Sequence, residues 1–138
     1  MAKTTTAGYS GKALIGKLGF KPGASAIAVN APTNYTELVD GAAIKPVARF
    51  PKSGAFDFIH VFVRNTTALE AVAPKLDARL ADGGMIWISW PKKASPLFED
   101  LTEDGIRASI LPLGKLVDVK VCAVDADWSG LKLLRRKT

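Results

Sequence analysis

Apolar residues are distributed along the chain as an alternation of short β-like runs and helical stripes. Leu14, Ile15 and Leu18 recur at helical spacing between Tyr9 and Gly19, with Ser10 as N-cap and Gly19 then Pro22-Gly23 as a stop. Residues 25–30 form a short apolar run without clean polar alternation, which predicts a central strand covered on both faces. Thr33-Asn34 are placed to cap a short helix through Leu38. Residues 44–50 read as a weaker strand, which Pro46 pushes towards a sheet edge. Residues 56–63, rich in aromatic and β-branched side chains, predict the strongest strand of the chain.

The second half continues the alternation. Thr67 and Glu70 have the spacing of a capping box, and Leu69, Val72, Leu76 and Leu80 form an apolar stripe that Gly83-Gly84 should end. Pro74, inside the stripe, should bend the helix or split it in two. Residues 85–90 are again apolar on both faces. Thr102 caps a further helix, with Glu103 and Asp104 favourable to its dipole and Ile106, Ile110 and Leu111 on its buried side. Residues 117–124 and 131–135 are two strands joined by a hairpin-like connection over 125–130. The fold class expected is therefore α/β: a single three-layer, Rossmann-like domain over 9–138 behind a flexible tail, 1–8. Its sheet is mainly parallel, with right-handed crossovers and one antiparallel C-terminal strand.

Composition narrows the picture without deciding it. The 138 residues are 48% hydrophobic and 23% charged, a globular balance, and no apolar run approaches a membrane span. A polar, threonine-rich start without an apolar segment argues against a signal peptide, so a cytoplasmic location is expected. The single cysteine, Cys122, excludes an intramolecular disulfide and a cysteine-based zinc site. A net charge of +6 favours an anionic partner. Only Lys92-Lys93 and Arg135-Arg136-Lys137 are dense in cations.

The strand–helix series with its antiparallel ending resembles the class I S-adenosylmethionine-dependent methyltransferase fold. Leu18-Gly19-Phe20-Lys21-Pro22-Gly23 is similar to that family's lead-in to its first strand, and Leu80-Ala81-Asp82-Gly83-Gly84-Met85-Ile86-Trp87-Ile88 to its turn into the fifth. The resemblance implies a glycine-rich cofactor loop after the first strand, yet Asn30-Ala31-Pro32-Thr33-Asn34 stands there without a glycine. It also implies an acidic residue after the second strand to hold a ribose, where this chain has Arg49-Phe50-Pro51. The chain thus reads as a reduced version of the fold, with no cofactor expected and S-adenosylmethionine disfavoured. Trp87-Ile88-Ser89-Trp90-Pro91-Lys92-Lys93, Leu101-Thr102-Glu103-Asp104, Val119-Lys120-Val121-Cys122-Ala123-Val124-Asp125 and Trp128-Ser129-Gly130-Leu131 resemble an uncharacterised bacterial family, domain of unknown function 3052. That resemblance implies a fold and no activity.

Ligands of open parallel sheets bind outside the carboxyl ends of the strands, near the reversal of strand order. The candidate mouth is accordingly Asn30, Thr33, Asn34, Arg64, Trp90, Lys92, Lys93, Asp125 and Trp128, with Asn65 and Pro91 beside them. Cations, amides, indoles and a helix start suit an anionic or planar ligand. The plainer alternative is that Trp90 and Trp128 pack the sheet rim while the lysines face solvent. His60, mid-strand, is expected to be a packed or hydrogen-bonded core histidine, and no metal set is foreseen. Asp100, Glu103 and Asp104 are explained by their helix start, and Ser89 lacks a nucleophile elbow. Cys122 is expected to be buried and inert. The leading functional reading is a non-catalytic or regulatory domain for a small anionic or nucleotide-like ligand, or for a protein partner. The alternative is a divergent methyltransferase or other transferase. Nucleic-acid binding through the basic surface is a minor third reading, and no membrane partner is expected.

Overall fold

The computed structural model describes residues 14–136. Residues that repeat apolar side chains on both sides of an extended backbone can only be shielded by layers on both faces, and three strands here have that composition. In β3 (Phe56–Phe62), Phe58, His60 and Phe62 point to one face while Ile59 and Val61 point to the other, and all five are buried. All four residues of β1 (Ala26–Val29) are buried, Ile27 and Val29 opposite Ala26 and Ala28. In β4 (Leu80–Pro91), Ile86, Ile88 and Trp90 alternate with Trp87 and Ser89 in the same way.

With β2 (Lys45–Val47), β5 (Leu116–Ala123) and β6 (Trp128–Arg135) these strands make one six-stranded sheet in the order β2-β1-β3-β4-β6-β5. Strands β1 to β4 are parallel, and β6 is antiparallel to both its neighbours, β4 and β5. Helices α1 (Leu14–Leu18) and α2 (Tyr35–Leu38) cover one face, through Leu14, Leu18 and Tyr35 packed with Phe58, Phe62, Trp87 and Trp128. Helices α3 (Thr66–Val72) and α4 (Glu103–Ile110) cover the other, through Leu69, Val72, Ile106 and Ile110. The Trp87 indole donates to the Leu18 carbonyl at 2.9 Å and ties α1 to the sheet. The expected three-layer α/β architecture is the one observed, with β2 at the edge as Pro46 required.

Several local expectations are corrected. Helix α3 is capped by Asn65, whose side chain accepts from the Ala68 amide at 2.8 Å, and not by the Thr67–Glu70 pair. The Thr66 amide goes to the Asp100 carboxylate at 2.9 Å, so the free donors on either side of Thr67 are satisfied without its side chain. The stripe does not run on as a helix to Leu80. Past Val72 the chain makes two 3₁₀ turns, Ala73–Lys75 with Pro74 inside it and Asp77–Arg79, and is extended from Leu80.

Gly83-Gly84 therefore ends no helix; it lies in an irregularity of β4, where the register with β3 jumps from Phe56↔Leu80 to Phe58↔Met85. Gly83 has φ +77°, and a Cβ on Gly84 would lie 2.8 Å from the Asp57 carbonyl oxygen. Asn34 precedes α2 but makes no side-chain capping bond; the Tyr35 amide is taken by the Pro32 carbonyl at 3.0 Å instead. Cys122 is half-buried rather than buried, because β5 is the sheet's other edge, and desolvation raises its thiol above the ordinary range. The Ser10 cap and the tail over 1–8 lie outside the described residues.

Candidate functional site

From β1 the chain moves outward to β2 and then crosses back to lay β3 on the opposite side of β1. Strand order thus reverses between β1 and β3, and the crevice outside their carboxyl ends is where this architecture binds ligands. A cleft of about 180 Å³ lies there. Asn30 enters it from β1, Arg49 and Phe50 from the segment after β2, Val63 from β3, and Ala68 and Lys75 from α3 and the turn that follows. Asn30 adopts φ +60°, the left-handed conformation that asparagine tolerates better than most residues. Its amide donates to the Val47 carbonyl at 2.9 Å and fixes the turn out of β1. No carboxylate lines the cleft among the described residues, so its charged groups are Arg49 and Lys75.

Of the residues expected at the mouth, Asn30 lines this crevice. Thr33 and Asn34 are exposed ahead of α2, and Arg64 is exposed at the end of β3. Trp90 and Trp128 are buried on opposite faces of the sheet, packing its two layers. Lys93 is exposed and Lys92 half-buried, its amide donating to the Asp127 carbonyl at 2.8 Å. The Asp125 carboxylate accepts from the Asp127 and Trp128 amides at 2.8 and 2.9 Å, and so shapes the β5–β6 turn. Arg49 and Lys75 were missed as site residues. They lie far apart in sequence, and only the reversal of strand order brings them to one crevice.

Behind the crevice, on the α1–α2 face, lies a buried polar relay. The Tyr35 hydroxyl is 2.9 Å from His60 Nδ1, and His60 Nε2 is 2.7 Å from Ser89 Oγ. His60 stacks on Phe62 with ring centroids 4.3 Å apart. Burial lowers the imidazole pKa to about 3 and pushes the Tyr35 phenol up, so both are neutral. A neutral ring has one N–H, so it donates to one hydroxyl and accepts from the other. This is the hydrogen-bonded core histidine expected from the sequence. Among the described residues no group of three or more His, Cys, Asp or Glu could hold a metal ion, and no helix is long and apolar enough to cross a membrane.

The same architecture recurs in solved structures. Over 90% of this chain and 76% of the other, it superposes on the ribosomal protein L11 methylase of Lactobacillus delbrueckii subsp. bulgaricus with TM-score 0.60 and 15% identity. The magnesium protoporphyrin IX methyltransferase of Synechocystis PCC 6803, solved with bound S-adenosylmethionine, gives TM-score 0.61 and 12% identity over 89% of this chain and 76% of that one. The N-methyltransferase NodS of Bradyrhizobium japonicum, in complex with S-adenosylhomocysteine, gives 0.53 and 15% over 90% and 84%. The fold is methyltransferase-like. Identities this low carry the fold alone. No family model and no curated protein matches the chain, so the resemblance to the uncharacterised bacterial family rests on its sequence motifs.

Proposed function

We propose that this chain is a ligand-binding domain that holds a small phosphorylated, nucleotide-like anion in the crevice between β1, β2 and α3. The observation that carries this is the pairing of Arg49 and Lys75 in one cleft that no carboxylate lines. A concave site of one charge sign concentrates ligands of the other, and a guanidinium is suited to forked recognition of phosphate. Asn30 adds an amide at the rim, while Val63 and Ala68 supply an apolar wall. None of these groups is placed as a nucleophile or general base, so the reading is one of binding, and the role regulatory.

The bound compounds of the structural neighbours favour a second reading, a divergent S-adenosylmethionine-dependent methyltransferase or other transferase. The residues at the crevice fit that cofactor poorly. Ala31 and Pro32 follow Asn30 where close backbone approach calls for glycine. Arg49 stands after β2 where a ribose would need an acceptor.

A thermal-shift titration with AMP, inorganic phosphate, S-adenosylmethionine and S-adenosylhomocysteine separates the two. A ligand at ~100 times its dissociation constant stabilises the fold by ~2.7 kcal/mol. A shift with AMP that Arg49→Ala or Lys75→Ala removes is the expected result. A shift with S-adenosylhomocysteine and none with AMP would overturn the binding-domain reading in favour of the enzyme.

A further inference from the structure

The crevice does not stop at Lys75. A second cleft of about 560 Å³ shares Arg49, Phe50 and Lys75 with it and continues between the segment after β2 and the 3₁₀ turns, where Lys52 and Arg79 join. Four cations line this groove and, among the described residues, no carboxylate does. Their acidic neighbour in the chain, Asp77, is committed elsewhere. Its carboxylate accepts from Arg135 Nε at 3.1 Å, and it lines a different cleft beside Ile110 and Leu116. Arg79 Nη1 donates to the Gly54 carbonyl at 3.1 Å, which holds the 3₁₀ turn to the loop before β3. Arg49, Lys52 and Lys75 make no ion pair among the described residues.

Like charges gathered in one concavity concentrate anions of the opposite sign there. A single phosphate at Arg49 and Lys75 leaves Lys52 and Arg79 uncompensated. The groove volume falls within the roughly 300–1,000 Å³ of small-molecule sites. We infer that the groove holds a linear chain of phosphates, as in a nucleoside triphosphate, running from Arg49 and Lys75 towards Lys52 and Arg79. This rests on the crevice reading above and extends it from a monophosphate to a polyphosphate. Phe50, Pro51 and Pro74 give the groove apolar walls between its cations.

The test is a calorimetric series with AMP, ADP, ATP, inorganic tripolyphosphate and a single-stranded oligonucleotide, on the wild type and on Lys52→Glu. Lys52 is exposed, so its reversal leaves the fold intact where Arg79→Ala could loosen the turn. The expected result is ATP binding at least about tenfold tighter than AMP, one charged contact being worth that much. Lys52→Glu should remove the gain, lowering ATP affinity far more than AMP affinity. Tripolyphosphate matching ATP would support the inference and name the phosphate chain as the recognised part. Equal affinity for AMP and ATP would overturn it while the crevice reading stands. Absence of binding by all of them would remove the crevice reading and the inference together. Oligonucleotide binding tighter than ATP and rising with strand length would overturn it in favour of a nucleic acid.

Discussion

The hydroxyl of Tyr35 on α2 sits 2.9 Å from Nδ1 of His60 on β3, and the far side of the same ring meets Ser89 of β4 at 2.7 Å. One imidazole thus joins a short helix and two central strands inside an otherwise apolar layer. Tyr35→Phe strands a buried ring nitrogen and should cost about 1–3 kcal/mol. Ser89→Ala does the same from the other side. The double variant should cost less than the sum, since once one partner is gone the ring can settle around the other. Urea unfolding of the four proteins reads this directly; strict additivity would show that the hydroxyls do not act through His60.

Stability should depend on pH through the same ring. Its pKa is lowered to about 3 in the folded chain and is ~6.5 when unfolded. The unfolded chain therefore binds the extra proton between these values, and protonation pulls towards unfolding. The contribution is fully present above pH ~6.5 and lost as pH falls towards 3, by up to ~1.4 kcal/mol per pH unit. Carboxylates titrate mainly below ~5, so the window between pH 5 and 6.5 isolates the histidine. The melting temperature should decline across that window in the wild type and stay flat in His60→Gln.

The cap of α3 gives a paired comparison. Asn65→Ala removes the bond to the Ala68 amide and should destabilise by about 1 kcal/mol. Thr67→Ala, at an exposed position inside the helix, should change stability by less than ~0.5 kcal/mol. Chemical denaturation of both variants decides which residue starts the helix.

Adjacent glycines of β4 should fail for different reasons. At Gly84 a Cβ would lie 2.8 Å from the Asp57 carbonyl oxygen and 3.0 Å from that of Ala81, so Gly84→Ala must move backbone. About 1–3 kcal/mol is expected. At Gly83 nothing lies within 4 Å, but φ is +77°, so Gly83→Ala should cost only the left-handed strain, about 1–2 kcal/mol. Hydrogen exchange separates them: Gly84→Ala should speed exchange of the Met85 amide, whose residue is in register with Phe58 of β3, while Gly83→Ala should leave it protected.

Much of the fold was legible because burial on both faces writes itself into consecutive apolar residues, as at Val61-Phe62-Val63. The Leu69–Leu80 stripe misled because a 3₁₀ turn and a helix space apolar residues alike over a few positions, and Leu76 is buried in either. Gly83-Gly84 read as a helix stop because glycine marks any irregularity, here one within a strand. The candidate mouth was drawn from strand ends, which the sequence places well; side-chain direction at those ends is set by the twist and pleat of neighbours. Trp90 and Trp128 thus turned inward, while Arg49, noticed only as a missing acid, lines the crevice with Lys75.

The position of β6 carries a consequence for how the chain is made. β6 follows β5 in sequence yet lies between β4 and β5 in the sheet. On a ribosome, β5 emerges with no sheet partner, and β4 waits with the backbone groups of Met85–Pro91 on an open flank. An open flank of this kind is a template for pairing with other chains, and domains completed by late, non-local strands fold slowly. Completion of the sheet is therefore gated by synthesis of residues 128–135. A nascent chain stalled with those residues still in the exit tunnel should be the form that chaperones hold and proteases cut.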